Sequence, residues 1–137
     1  MVVESAFEAH HTRVRLHVQA HPEINAVEVV GYLPHPVPTA RLGLISEALM
    51  RLNHTMTIGN FEMDVDAGQV FFRAANLFPV DRVEPGIVAG LVHSAVAEVD
   101  RLTPFLTLLL RMAPEELAKL NLKLFLQRED LLPPVES

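Results

Sequence analysis

The chain contains no cysteine. Disulfides, thiolate catalysis and Cys-ligated zinc are thereby excluded, and a cytoplasmic location is expected. Basic residues are in deficit: 11 Lys+Arg against 17 Asp+Glu leave a net charge of −6. Neutralising a phosphate backbone needs clustered Lys and Arg, so direct nucleic-acid binding is not expected. Long hydrophobic runs are missing too. The most apolar stretch, Phe105 to Leu110, is broken by Thr107 and falls far short of the ~20 residues of a membrane span. No cationic segment followed by an apolar run opens the chain, so no secretion signal is expected. Serine is scarce, and none of Ser5, Ser46, Ser94 and Ser137 sits in Gly-x-Ser-x-Gly. What remains is a chain of 137 residues, 50% hydrophobic and 20% charged. That suits one domain burying roughly 70% of its unfolded surface.

Residues 13–19 alternate, with Val14, Leu16 and Val18 on one side and Arg13, Arg15, His17 and Gln19 on the other. A period of two marks a half-buried strand. Turn chemistry follows at His21-Pro22-Glu23, and residues 26–33 alternate again, with Val27, Val29 and Leu33 inward and Glu28, Val30 and Tyr32 outward. The register expected for this hairpin sets Val18 opposite Val27, Leu16 opposite Val29, His17 opposite Glu28 and Arg13 opposite Tyr32. Residues 2–7 are read as a preceding strand, with a short helix as the competing reading. Pro34, Pro36 and Pro38 stop the sheet, and Thr39 is the expected N-cap of a helix carrying Leu42, Ile45, Leu49 and Leu52 on one face. A second hairpin is expected over 56–65 and 69–77, turning at Asp66-Ala67-Gly68. Pro85 suits the first turn of a helix lined by Val88, Leu91, Val92, Ala95, Val99 and Leu102. Thr103-Pro104 and Ala113-Pro114-Glu115-Glu116 each read as a cap and restart. The leucine-rich segment 114–128 is apolar around more than one face, which requires burial on two sides or a second chain.

Chemistry finds few carriers. His17 and His21 have the i,i+4 spacing that chelates zinc from a helix, but on a strand their rings stand ~13 Å apart. His10-His11 is a vicinal pair whose side chains diverge if extended, and ordinary surface histidines are the default. Asp64-Val65-Asp66-Ala67-Gly68 lacks the further oxygen ligands of a calcium loop and reads as a hairpin turn. His93 and Ser94 are neighbours on a helix and point about 100° apart. Glu115 and Glu116 fall in a helix first turn, where charge is ordinarily structural. No catalytic residue, cofactor or metal is therefore expected. The outward row of Arg13, Arg15 and His17 beside Val30 and Tyr32 mixes cations, an aromatic and an aliphatic residue on one sheet face. It is either a solvated face or a shallow partner-binding surface, because Arg and Tyr are common anchors.

From about Val37 to Met112 the sequence resembles the YbjN-like family, whose fold is similar to that of type III secretion chaperones. The resemblance rests on order and spacing: Val37-Pro38, the helix ending Arg51-Leu52-Asn53, Ile58-Gly59-Asn60-Phe61-Glu62-Met63-Asp64, Asp66-Ala67-Gly68, Val70-Phe71-Phe72-Arg73, and a long helix ending Glu98-Val99-Asp100. Pro104 and Pro114-Glu115-Glu116 also look familiar from cyanobacterial members. The resemblance implies an α+β domain, with a twisted antiparallel sheet of about five strands packed against helices in the order βββ-α-ββ-α. An extra C-terminal helix over 113–128 would complete a single domain spanning 1–128, leaving 129–137 as a tail. Family members usually begin with a helix before the first strand, and here the chain begins at about that strand. The leucine-rich segment is accordingly expected to cover the surface that helix would cover, or to complete a dimer.

The function so implied is that of a non-enzymatic, chaperone-like or regulatory module, a homodimer that binds a segment of another protein. Arg13, Arg15, Val30 and Tyr32 are its candidate partner contacts, and Leu106, Leu109, Leu110, Leu120 and Leu124 its candidate self-association surface. The rival classes are a regulator of a nucleic-acid-bound protein and an enzyme whose site is assembled from distant residues.

Overall fold

The structure is a computed structural model and describes residues 2–9 and 11–131. Strands β1 (Val2–Glu8), β2 (Arg13–His21) and β3 (Ala26–Tyr32) precede helix α1 (Leu42–Asn53). A second hairpin, β4 (Asn60–Asp64) and β5 (Gln69–Leu77), leads into the long helix α2 (Pro85–Arg111). Two short helices, α3 (Pro114–Ala118) and α4 (Leu122–Phe125), complete the order βββ-α-ββ-α with its C-terminal addition. The strands form one antiparallel sheet, β1-β2-β3-β5-β4, with helices over one face. The α+β class read from the sequence is the class observed.

The alternation in β2 and β3 selects the faces as expected, but the hairpin register is displaced by two residues. Val18 lies opposite Val29, Leu16 opposite Gly31, His17 opposite Val30 and Arg15 opposite Tyr32. A slip of two keeps every side chain on its own face, which is why the pattern alone could not choose between the registers. The turn decides. β2 continues to His21, Pro22–Ile24 makes a single 3-10 turn, and Asn25 takes a left-handed φ of 54°. That tight reversal brings His21 opposite Ala26.

Three other local differences have equally local causes. β4 starts at Asn60 rather than at residue 56, because the N–H groups of Thr55 and Met56 still donate back to Leu52 and Asn53 as the chain leaves α1. Thr39 is not an N-cap: Thr39–Arg41 form a 3-10 turn whose last N–H is satisfied by the Pro38 carbonyl, and α1 begins at Leu42. The Arg41 guanidinium reaches away from its own helix and donates to the carbonyls of Leu109 and Met112, each at 2.7 Å, where α2 ends. At the β4–β5 turn Gly68 has the positive φ expected of it, 69°, and Asp64 Oδ1 accepts from the N–H groups of Asp66 and Ala67.

α2 passes through Pro104 without a restart. A proline inside a helix costs about 3 kcal/mol. Leu102, Phe105, Leu106 and Leu109 flank it and are all buried. Each such side chain contributes about 1.5–3 kcal/mol on burial, so packing outweighs the local penalty. The Thr103 and Thr107 hydroxyls donate to the carbonyls of Val99 and Thr103, four residues back.

The segment expected as one helix over 114–128 is two, divided where the Asn121 side chain accepts from Leu124 N–H and caps α4. The break directs Leu122 and Phe125 into the core, with Phe125 edge-on to Phe105 at 5.6 Å. Of the tail expected over 129–137, Glu129–Leu131 form a 3-10 turn and the remainder lies outside the described residues.

Candidate functional site

The residues singled out on the sheet meet only in part. On the face away from the helices, Arg15 lies over the Tyr32 ring at 4.8 Å, Tyr32 neighbours Phe71 at 6.2 Å, and Arg73 lies over Phe71 at 5.4 Å. Arg73 is in turn held by Glu62 at 2.7 Å and Glu28 at 3.1 Å. Arg13 stands apart, one row beyond Arg15, facing Glu8 at 3.7 Å. Val30 is not available as a contact: it is 6% exposed, set between His17 and Arg73 across the strands. Two arginines and two aromatics thus stack on each other, and Glu62 and Glu28 close the row at Arg73.

The leucine set divides similarly. Leu106 and Leu109 are 2% and 1% exposed and belong to the core, so neither is presented to a second chain. Leu110 and Leu120 are half-buried, and only Leu124 stands out at 60% exposure. The i,i+3 pair Leu106 and Leu109 lies on the core side of α2, which a helix-only reading of the sequence could not assign.

A groove lies instead between the C-terminal half of α1, the link that follows it, the middle of α2 and the end of α4. Its inner part, about 300 Å³, has Phe61, Leu102 and Phe105 as floor and Met56 and Ile58 as wall. Ser94, Glu98, Arg101 and Phe105 of α2 line it at the spacing of one helix face. It opens into a shallower part of about 770 Å³ between Glu47, Met50, Arg51 and His54 of α1 and Lys123 and Gln127. Leu52, Thr55, Arg101 and Leu126 are common to both parts. The Glu47–Arg51 pair at 3.1 Å forms one rim, and Arg101 and Lys123 form another. Burial among the groove side chains raises the Glu98 carboxyl above the ordinary carboxylate range, with Arg101 opposing the shift.

One side of the groove is held by Asn53. Its amide donates to Phe61 C=O at 2.9 Å and its carbonyl accepts from Phe61 N–H at 2.8 Å, tying the end of α1 to the edge of β4. The sequence carried a faint signal of the groove in Met50, an apolar residue off the Leu42–Ile45–Leu49–Leu52 stripe. Ile58, on the link between α1 and β4, is a second apolar residue left open, at 59% exposure. Glu98 gave none, because its surroundings come from four separate elements.

The histidines and carboxylates weighed in the sequence remain dispersed. His17 hydrogen-bonds Gln19, and His21 faces Glu23 and Glu28. Among the described residues no three His, Asp or Glu side chains gather as metal ligands. His10 lies outside the described residues. No helix among the described residues is long and apolar enough to cross a membrane.

Fold and groove together define an α+β domain with an open, apolar-floored cleft rimmed by charge. Set against models of protein families, curated proteins and solved structures, the chain matches none of them.

Proposed function

We propose that this protein is a non-enzymatic module that binds a short segment of another polypeptide in the groove between α1, α2 and α4, and that it works as a homodimer. The groove carries the reading. Its combined parts have the size of a site for several side chains, with an apolar floor and charged rims of both signs. Such a cleft suits an amphipathic segment whose anchors enter the floor while its polar face meets the rim. The resemblance of residues 37–112 to the YbjN-like family, with the chaperone-like or regulatory role it would imply, leads to the same reading.

Selection from a displayed random-peptide library tests it. Amphipathic peptides should be enriched, and their capture should fall at least about tenfold with Met50→Asp or Ile58→Arg, a loss of roughly 1.4 kcal/mol. Val65→Asp on the β4–β5 turn should leave capture unchanged. A library that yields no enriched peptide, or peptides indifferent to both groove substitutions, removes the reading.

A further inference from the structure

We propose that two copies of this chain join through the free edge of β1, about a two-fold axis at Ser5, to make one continuous sheet. The inference rests on the self-association part of the reading above and not on the groove.

The two sheet edges differ. β4 is five residues long, carries Glu62 and Asp64, and has the Phe61 N–H and C=O occupied by the Asn53 amide. Short, charged and covered edges are how sheets avoid pairing with another strand. β1 has seven residues, no lysine and no proline. Its helix-side residues are Val3, Ser5 and Phe7, in line with the half-buried Val18 and the core residues Leu16 and Val14 of β2. Leu16 and Val14 are fully buried, whereas Val3 and Phe7 are 52% and 41% exposed. Among the described residues, the apolar face thus extends one strand beyond its cover.

The pattern of β1 identifies the occupant as its own copy. With the axis normal to the sheet, residues facing each other must share a face, so the pairing is centred on a residue. Centred on Ser5, it engages all seven residues, sets Val3 opposite Phe7 of the second copy twice over, and places Glu4 opposite Ala6 and Glu8 opposite Val2. No acid meets an acid. Centred on Glu4, it would set that carboxylate against itself; centred on Ala6, it would set Glu4 against Glu8. Like charges directly opposite are destabilising, and centring on Val3 or Phe7 would engage only three residues of β1, so Ser5 gives the register that uses the whole strand and pairs Val3 with Phe7. A single strand edge buries less than the ~1,600 Å² of a standard interface, so a reversible dimer in about the micromolar range is expected. The groove lies toward β4, at the other edge, and stays open in both copies.

The absence of native cysteine makes the test direct. Opposed Cβ atoms in an antiparallel pair stand about 4.5–5.5 Å apart, within easy reach of a disulfide. Under mild oxidation Ser5→Cys should give covalent dimer at least about tenfold faster than Ser46→Cys, an exposed position on α1. Sedimentation of the unaltered chain should show its mass rising from one copy toward two between about 1 and 100 μM. Val3→Asp with Phe7→Asp, its fold checked by circular dichroism, should hold it at one copy. A single-copy mass throughout, or Ser5→Cys linking no faster than Ser46→Cys, overturns the proposal. Failure of peptide capture alongside rapid Ser5→Cys linking would count against the groove alone and leave the β1 interface supported.

Discussion

Gly31 stands where α2 crosses the sheet, and the crossing depends on its lacking a side chain. A Cβ there would lie 2.9 Å from Val99 Cγ2 and 3.3 Å from Leu16 Cδ2, and both neighbours are themselves buried. Neither can retreat without moving α2 or β2. Gly31→Ala should therefore destabilise the fold by about 1–3 kcal/mol, the usual consequence of overpacking, seen as an earlier midpoint in urea. An unchanged midpoint would mean that the helix seats farther from the sheet. Glu98 supplies the corresponding electrostatic case. Its carboxyl is raised by burial above its ordinary value of 4.5, so the folded chain binds this proton more tightly than the unfolded chain. Stability from this group is thus full at acid pH and declines as pH rises from the ordinary value through the raised one. Glu98→Gln removes the titration. The variant should melt above the unaltered protein at about pH 7, and the gap should close at about pH 3, where both side chains are neutral. A variant no more stable at neutral pH would show that Arg101 fully compensates the carboxylate.

Elements were legible in the sequence where one face meets one environment. The strands β2, β3 and β5, the core stripe of α2 and the reversal at Gly68 all follow from local pattern, because period and turn chemistry are local properties. Elements whose limits depend on distant packing were not. Proline at 104 signals a stop, and only the core on either side of it keeps α2 continuous. The leucine-rich segment called for burial on two sides or against a second chain, but the turn at Asn121 that sends Leu122 and Phe125 into the core was not readable from hydrophobicity. The same holds for the groove: the i,i+3 spacing of Glu98 and Arg101 is readable, but the burial of Glu98 against the α1 end, the link and Phe61, and the Asn53 amide on Phe61, depend on how separate elements pack. The packing of α4 makes a firm prediction. Phe125→Ala removes the edge-on partner of Phe105 and leaves a cavity, which should cost about 3–5 kcal/mol. Deleting residues 113–137 should go further, uncovering Phe105 and Leu102 and causing aggregation on light scattering. A soluble truncated chain with unaltered melting would show that α3 and α4 lie on the core without stabilising it.

At the scale of the whole molecule, the arrangement of the sheet separates two surfaces. β1 and β4 are opposite edges, with three strands between them, so the uncovered Val3 and Phe7 lie across the sheet from the groove beside Phe61. α2 touches both regions. Its Asp100 carboxylate, buried, accepts from His11 N–H at 2.6 Å at the β1–β2 turn, while Glu98 and Arg101 face the groove. Substitutions more than ~7–10 Å apart with no shared partners act independently within a few tenths of a kcal/mol. Val3→Asp with Phe7→Asp should consequently abolish self-association and retain each copy's peptide capture. Met50→Asp should do the reverse, and combining the two sets should give a folded single copy that captures nothing. Sedimentation and peptide titration on the same samples separate these outcomes. If the β1 substitutions also abolish capture, the two surfaces are coupled, with α2 and its contact at His11 as the connection. A stepwise series at Asp100 would then show the coupling as a graded loss of capture tracking the loss of dimer.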